Sequence, residues 1–336
     1  MSKLTIIENS RVSFRKDNVG DTLLRFGMLI ALLIIVIANA IFTPNFFSMN
    51  TVWNLMFQCT SVMILAMGIT IVIAAGGIDI SVGSMMACAS MVAARVMFIG
   101  PKYTVAGILI SLAVSLLAGG FIGLLVSKYR IQPMIVTLAM LYVLRGIAQL
   151  LHNGGTLSVA SSFFTDFAYI SVWGVVPVQF FVWLFVIIVV YILLRKTRFG
   201  TFVEAFGDNP IATKISGVNT VMLVVAAHAL CSFFAGIAGL LETSLANSSD
   251  PNTLGQLMEL DAIAATAIGG TPMTGGRPNI AGSVAGAIIV TLITIMVNMN
   301  NIPYAWSLIL KTIVLFAALY MQNMRNRKSM KMGSGV

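Results

Sequence analysis

Residues 55–99 read LMFQCTSVMILAMGITIVIAAGGIDISVGSMMACASMVAARVMFI and carry only two charged side chains, Asp79 and Arg95. Residues 55–75 carry none, over a length close to the roughly 20 residues that an α-helix needs to cross a bilayer. A soluble helix keeps one polar face for water, and this run has no such face. A second apolar run, 82–99, follows the sequence Gly76-Gly77-Ile78-Asp79-Ile80-Ser81. Paired glycines break a helix, and in lipid the freed backbone groups must be satisfied by side chains or by water in a cavity. Asp79 and Ser81 supply such side chains. Two roles stay open for Asp79. It caps the next span through Ile80–Gly83, favoured by the helix dipole, or it lines the inner end of a solute path.

Further apolar runs lie at 24–42, 104–127, 132–151, 176–194, 219–241, 280–297 and 304–322, with a short, weaker segment at 257–270 that contains Glu259 and Asp261. Over 336 residues the chain is 58% hydrophobic and 9% charged, where a soluble domain carries about 25% charge. That leaves too little polar side chain to cover a sizeable water-facing domain. Helices are the open-chain solution to backbone hydrogen bonding in lipid. The expectation is an all-α polytopic membrane protein of about ten transmembrane helices. Its N-terminal segment is 1–23, its membrane domain 24–322 and its basic, frayed tail 323–336. The first run lacks a small-residue cleavage site and reads as a retained span rather than a signal peptide.

The net charge of +9 reports topology rather than nucleic-acid binding. With a cytoplasmic N-terminus and ten crossings, sixteen of the twenty Lys and Arg residues fall inside and only Lys102 outside; Arg95, Arg145 and Lys311 lie within spans. This asymmetry is the positive-inside pattern. It puts both termini in the cytoplasm and requires 257–270 to cross, or to re-enter far enough to keep parity. Cys59, Cys88 and Cys231 sit in apolar segments and read as small packing residues. Gly119–Gly123 and Gly282–Gly286 are pairs four apart that let helix backbones approach, within the bundle or at a dimer seam. Arg145, costly inside a span, has Glu242, Glu259 and Asp261 as candidate partners. Gln58, Thr60, Ser61, Gln149 and Asn247 can offer hydrogen bonds to hydroxyls, and His228 is read as bonded to a neighbouring backbone group. The sequence has no G-x-x-x-x-G-K-[ST] motif and no metal-ligand spacing, so no ATP site or metal is expected on this chain.

The longest polar loop on the inside, 195–219, contains TRFGTFVEAFGDNPIATKISGVN. Asp208 or Asn209 can cap a helix opened by Pro210 and stopped by Gly217, a short helix outside the membrane suited to docking. This loop, together with AAGGIDISVGS (74–84) and ELDAIAATAIGGTPMTGG (259–276), resembles the ABC permeases for ribose, galactose and related sugars over about residues 50–320. RIQPMIVTLAMLYVLRG and GGRPNIAGSVAGA are similar to permeases for furanose sugars that pair with a second, different permease. The resemblance implies a bacterial inner-membrane permease that moves a monosaccharide inward. Its partners would be ATPase subunits holding ATP and Mg, a periplasmic sugar-binding protein and a second permease. It also implies that the loop is a coupling helix between spans six and seven, with Arg198, Gly200, Glu204, Gly207, Asp208, Asn209, Lys214 and Gly217 at the ATPase contact. Path candidates are Gln58, Asp79, Ser81, Arg145, Gln149, Glu259 and Asp261. Gly275-Gly276-Arg277-Pro278 departs from the family's usual Gly-Gly-Val-Gly. The competing reading is an ion-coupled secondary transporter using Asp79 and Asp261 beside glycine-rich breaks.

Overall fold

The structure is a computed structural model describing residues 19–159, 161–172, 174 and 176–333. Residues 1–18 of the N-terminal segment and 334–336 of the tail lie outside the described residues. The helices are α1 (Val19–Phe42), α2 (Met49–Ala74), α3 (Val82–Met97), α4 (Thr104–Ser127), α5 (Pro133–Leu150), α6 (Ser162–Phe167), α7 (Val178–Lys196), α8 (Arg198–Asp208), α9 (Pro210–Ile215), α10 (Thr220–Ala246), α11 (Met258–Ile268), α12 (Ile280–Met299) and α13 (Ala305–Gly333). Every apolar run read from the sequence coincides with one of them. Among the described residues, six are long and apolar enough to cross a membrane, with shorter apolar helices at Leu29–Phe42, Val82–Met97 and Ala305–Tyr320. The basic tail differs from expectation, because α13 continues through it to Gly333.

Helix α2 is the hub. From Cys59 to Ala74 it is buried on every side, as its lack of a polar face requires. Helices α7, α10, α11 and α12 pack around it. By contrast, α4, α5 and α7 leave Leu117, Tyr142 and Phe185 exposed, surface suited to lipid or another membrane chain. The glycine pairs resolve to seams inside the bundle. A β-carbon on Gly119 or Gly123 would collide with α10 at the His228 carbonyl or Val225, and one on Gly282 or Gly286 would collide with α11 at the Gly269 or Ala265 carbonyl. The three cysteines are buried and free.

Two helices follow breaks in the chain. Before α3 the chain from Gly76 to Ser81 is non-helical. Before α11 the break runs from Asn247 to Leu257, with both end residues in the left-handed region at φ 55° and 63°. Eleven residues of α-helix rise about 16 Å, half of the ~30 Å hydrocarbon core, so α11 alone cannot cross. Strand Ser248–Ser249 pairs with Leu157–Ser158 at one end of the bundle, whereas the turn after α11 meets α8 at the other.

Candidate coupling and translocation site

The loop 195–219 folds as two helices, α8 and α9. The α9 cap matches expectation: Asn209 Oδ1 accepts from the backbone N–H of Ile211 at 3.1 Å and Ala212 at 3.0 Å. Pro210 opens the helix and Gly217, at φ +84°, ends it. Helix α8 was not foreseen, because Gly200 and Gly207 lower helix propensity. Its signal was Phe199, Val203 and Phe206, spaced on one face; Val203 is buried and both phenylalanines pack against the main core. Arg195 fixes the corner. Its guanidinium pairs with Glu204 at 3.1 Å and donates to the Pro278 carbonyl at 2.9 Å. Glu204 is therefore committed within the chain, while Arg198, Asp208, Asn209 and Lys214 are exposed. The sequence reading missed Ile211 and Ile215, which are 75% and 81% exposed one helical turn apart on α9.

Three glycines join this element to the bundle. The Gly276 N–H donates to the Ala74 carbonyl at the end of α2, at 2.9 Å. A β-carbon on Gly207 would overlap that carbonyl and the Gly276 nitrogen. On Gly275, at φ +96°, it would meet Gly207 and Gly76 at 3.0 Å, and on Gly276 it would overlap Asp208 Oδ1. Gly200 similarly lies on the Leu194 carbonyl at the α7–α8 corner. Backbone thus touches backbone where α8, the end of α2 and the α11–α12 turn converge. Residues 275–278 depart from the resembled motif, yet they are the third member of this junction.

The path candidates divide into groups. Asp79 is fully buried; its Oδ1 accepts from the Ser81 N–H at 2.9 Å and Ser81 Oγ at 2.6 Å, while Oδ2 has no partner. It closes the turn leading into α3, and Ser81, also buried, is the cap residue itself. Gln58 is exposed on α2. Asp261 is buried, and both its oxygens accept from Lys311 Nζ on α13, at 2.9 and 2.7 Å. Glu242 accepts from Ser61 at 2.6 Å, and half-buried Glu259 lies against Gly83. His228 Nδ1 bonds the Val224 carbonyl at 3.0 Å.

Arg145 was expected to meet an acid, but among the described residues its hydrogen bonds run to carbonyls. Its Nη1 donates to Pro251 at 3.0 Å and Leu254 at 2.7 Å. Gln149 donates to Asn252 Oδ1 at 2.9 Å, and Asn252 to the Gly154 carbonyl at 2.8 Å. The reason lies in the break before α11, whose turns leave carbonyls without helical partners, and a guanidinium can serve two at once. Asn252, Thr253 and Gln256 are exposed beside this clamp and join Gln149 as groups able to meet hydroxyls. Arg145→Met leaves two carbonyls short of a donor, at about 1–3 kcal/mol each. The expected result is a lower thermal midpoint and faster labelling of a cysteine placed at Thr253. Unchanged labelling would remove the clamp.

The family described as branched-chain amino acid transport system / permease component matches residues 51–319. The chain is 34% identical over 318 residues to the ribose import permease protein of Escherichia coli K12, an alignment covering 93% of this chain and 98% of that protein. It is 32% identical to the galactofuranose transporter permease protein of the same organism, over 88% and 89% of the two chains. It is 31% identical to the fructose import permease protein of Bifidobacterium longum, over 90% and 91%. No solved structure gives a significant match. With a match over residues 51–319 and 34% identity to the ribose import permease over most of its length, the chain belongs to this family of transport-system permease components, alongside sugar-import permeases.

Proposed function

We propose that this chain is one of two permease subunits of an ATP-driven importer in a bacterial inner membrane, carrying a monosaccharide to the cytoplasm. It has ten crossings and both termini inside, as the distribution of Lys and Arg supports. A sugar-binding protein delivers the solute from outside. ATP and Mg bind to partner ATPase subunits, and the second permease is a copy of this chain or a related one.

One observation carries the reading. The capped helix α9 leaves Ile211 and Ile215 exposed, and glycine contacts tie the preceding α8 to the end of α2 and the turn after α11. Apolar side chains held out in this way fit a cleft on a partner. Closure of that cleft would push α9, and α8 would pass the displacement through Gly207 to the end of α2 and the turn 269–279. Asn252, Thr253, Gln256 and Gln149 offer weak polar contacts to a sugar selected elsewhere.

The test is uptake in vesicles containing the assembled transporter, with ATP and binding protein added. ATP-dependent uptake that survives an uncoupler supports the proposal; uptake that needs no ATP and collapses with the uncoupler sinks it. Ile211→Asp combined with Ile215→Asp removes the docking surface without disturbing the core. Burying an isoleucine is worth about 1.5–3 kcal/mol, so sugar-stimulated ATP hydrolysis is expected to fall by at least about tenfold for the pair. Pull-down of the ATPase checks that the loss lies in docking, and retained pull-down with normal hydrolysis rejects this surface.

A further inference from the structure

A cavity of about 920 Å³ lies between the α4–α5 turn, helices α8 and α9, and the first turns of α10. Three cations line it, Lys128, Arg130 and Lys214, and among the described residues no aspartate or glutamate does. All three are exposed and, among the described residues, have no carboxylate partner. Like charges gathered around one space repel unless an anion occupies it. His228, 1% exposed, also lines the cavity. Its Nδ1 faces the Val224 carbonyl at 3.0 Å and so carries the proton, while Nε2 is buried without a partner. A neutral imidazole with its proton on Nδ1 presents Nε2 as an acceptor, so the missing partner is an O–H or N–H donor. The remaining walls include Ile131, Phe206, Val221 and Val224, together with Ile211 and Ile215 of α9.

Exposed cations and a buried lone acceptor lining one space describe a ligand that carries both a phosphate and a hydroxyl. We propose that this cavity binds a hydroxyl-bearing phosphate ester, with the phosphate on Lys128, Arg130 and Lys214 and a hydroxyl donating to His228 Nε2. Two sources share this chemistry, the glycerol headgroup of an anionic phospholipid and a soluble polyol phosphate. The site touches the α4–α5 turn and both docking helices, so its occupant bridges parts that coupling has to move. Binding itself does not depend on the transport reading, and a negative uptake experiment leaves the binding test intact.

The test uses the full chain in nanodiscs of zwitterionic lipid. One arm titrates glycerol 3-phosphate, and the other exchanges in phosphatidylglycerol carrying a fluorescent acyl chain. Binding in either arm identifies the source. A basic residue near an anionic surface contributes about 1 kcal/mol, or about fivefold, so the combined Lys128→Gln, Arg130→Gln and Lys214→Gln variant should bind on the order of a hundredfold more weakly. His228→Phe should erase any preference for phosphatidylglycerol over phosphatidic acid, which lacks the headgroup hydroxyls. Removing three cations can disturb insertion, so Val221→Trp fills the cavity with every charge kept and should also abolish binding. Lys128→Arg with Lys214→Arg should retain it. No binding in either arm overturns the proposal, as does binding that persists in both the triple variant and Val221→Trp.

Discussion

Replacing Gly207 with valine is expected to abolish sugar-stimulated ATP hydrolysis by the assembled transporter while leaving the ATPase subunits bound. The expectation follows from the crowding at this position. A β-carbon there overlaps the Ala74 carbonyl and the Gly276 nitrogen, the two groups joined by the 2.9 Å hydrogen bond. Neither obstacle is a side chain that can swing away. The larger residue must separate α8 from the end of α2 or break that bond, and overpacking of this kind costs about 1–3 kcal/mol. The proposed transmission route passes through this backbone junction, so a small separation has a large effect, and a loss of at least about tenfold in uptake is expected. Gly120→Ala is the control. Its β-carbon meets nothing within 4 Å, and removing a helical glycine is worth about 0.5–1 kcal/mol in favour of the fold. ATP hydrolysis in reconstituted vesicles, with and without the loaded binding protein, reads both variants. Normal stimulation in Gly207→Val would show that coupling does not pass through the junction.

The features visible in the sequence are those written in local pattern. Each apolar run became a helix, because a long, mainly apolar stretch has one way to satisfy its backbone in lipid. The Asn209–Pro210 cap and the Gly217 stop were legible for the same reason, since capping depends on a few consecutive residues. What was hidden depends on distance along the chain. Nothing near Arg145 in sequence points to the carbonyls of Pro251 and Leu254, more than a hundred residues away. Gly207 reads as a helix breaker until Ala74 and Gly276 are seen against it. Helix α8 was obscured by its glycines, although Phe199, Val203 and Phe206 carried its core-facing stripe. Ile211 and Ile215 looked like ordinary apolar residues of a short helix. Only the structure shows that both are exposed.

The largest effect on stability is expected at the Asp261–Lys311 pair, which joins the half-helix α11 to α13. The ammonium meets both carboxylate oxygens, and the two side chains are 13% and 6% exposed. Two charges taken from water are held mainly by each other, so removing one strands the other. Breaking a buried pair in this way costs about 3–5 kcal/mol, whereas replacing both members by packed apolar groups is often nearly neutral. Lys311→Met and Asp261→Leu should therefore each lower the thermal midpoint and expression sharply, and the double variant should recover most of the loss. The non-additivity separates a pair from two independent packing sites. Asp261 was also a candidate to line the solute path, and the double variant tests that role directly. If it is stable and transports normally, Asp261 serves as a tie between α11 and α13. If it is stable but inactive, the carboxylate acts on the solute or on the motion of α11. Single variants as stable as the parent would show that the pair holds nothing, and the attachment of α11 would then rest on its glycine seam with α12.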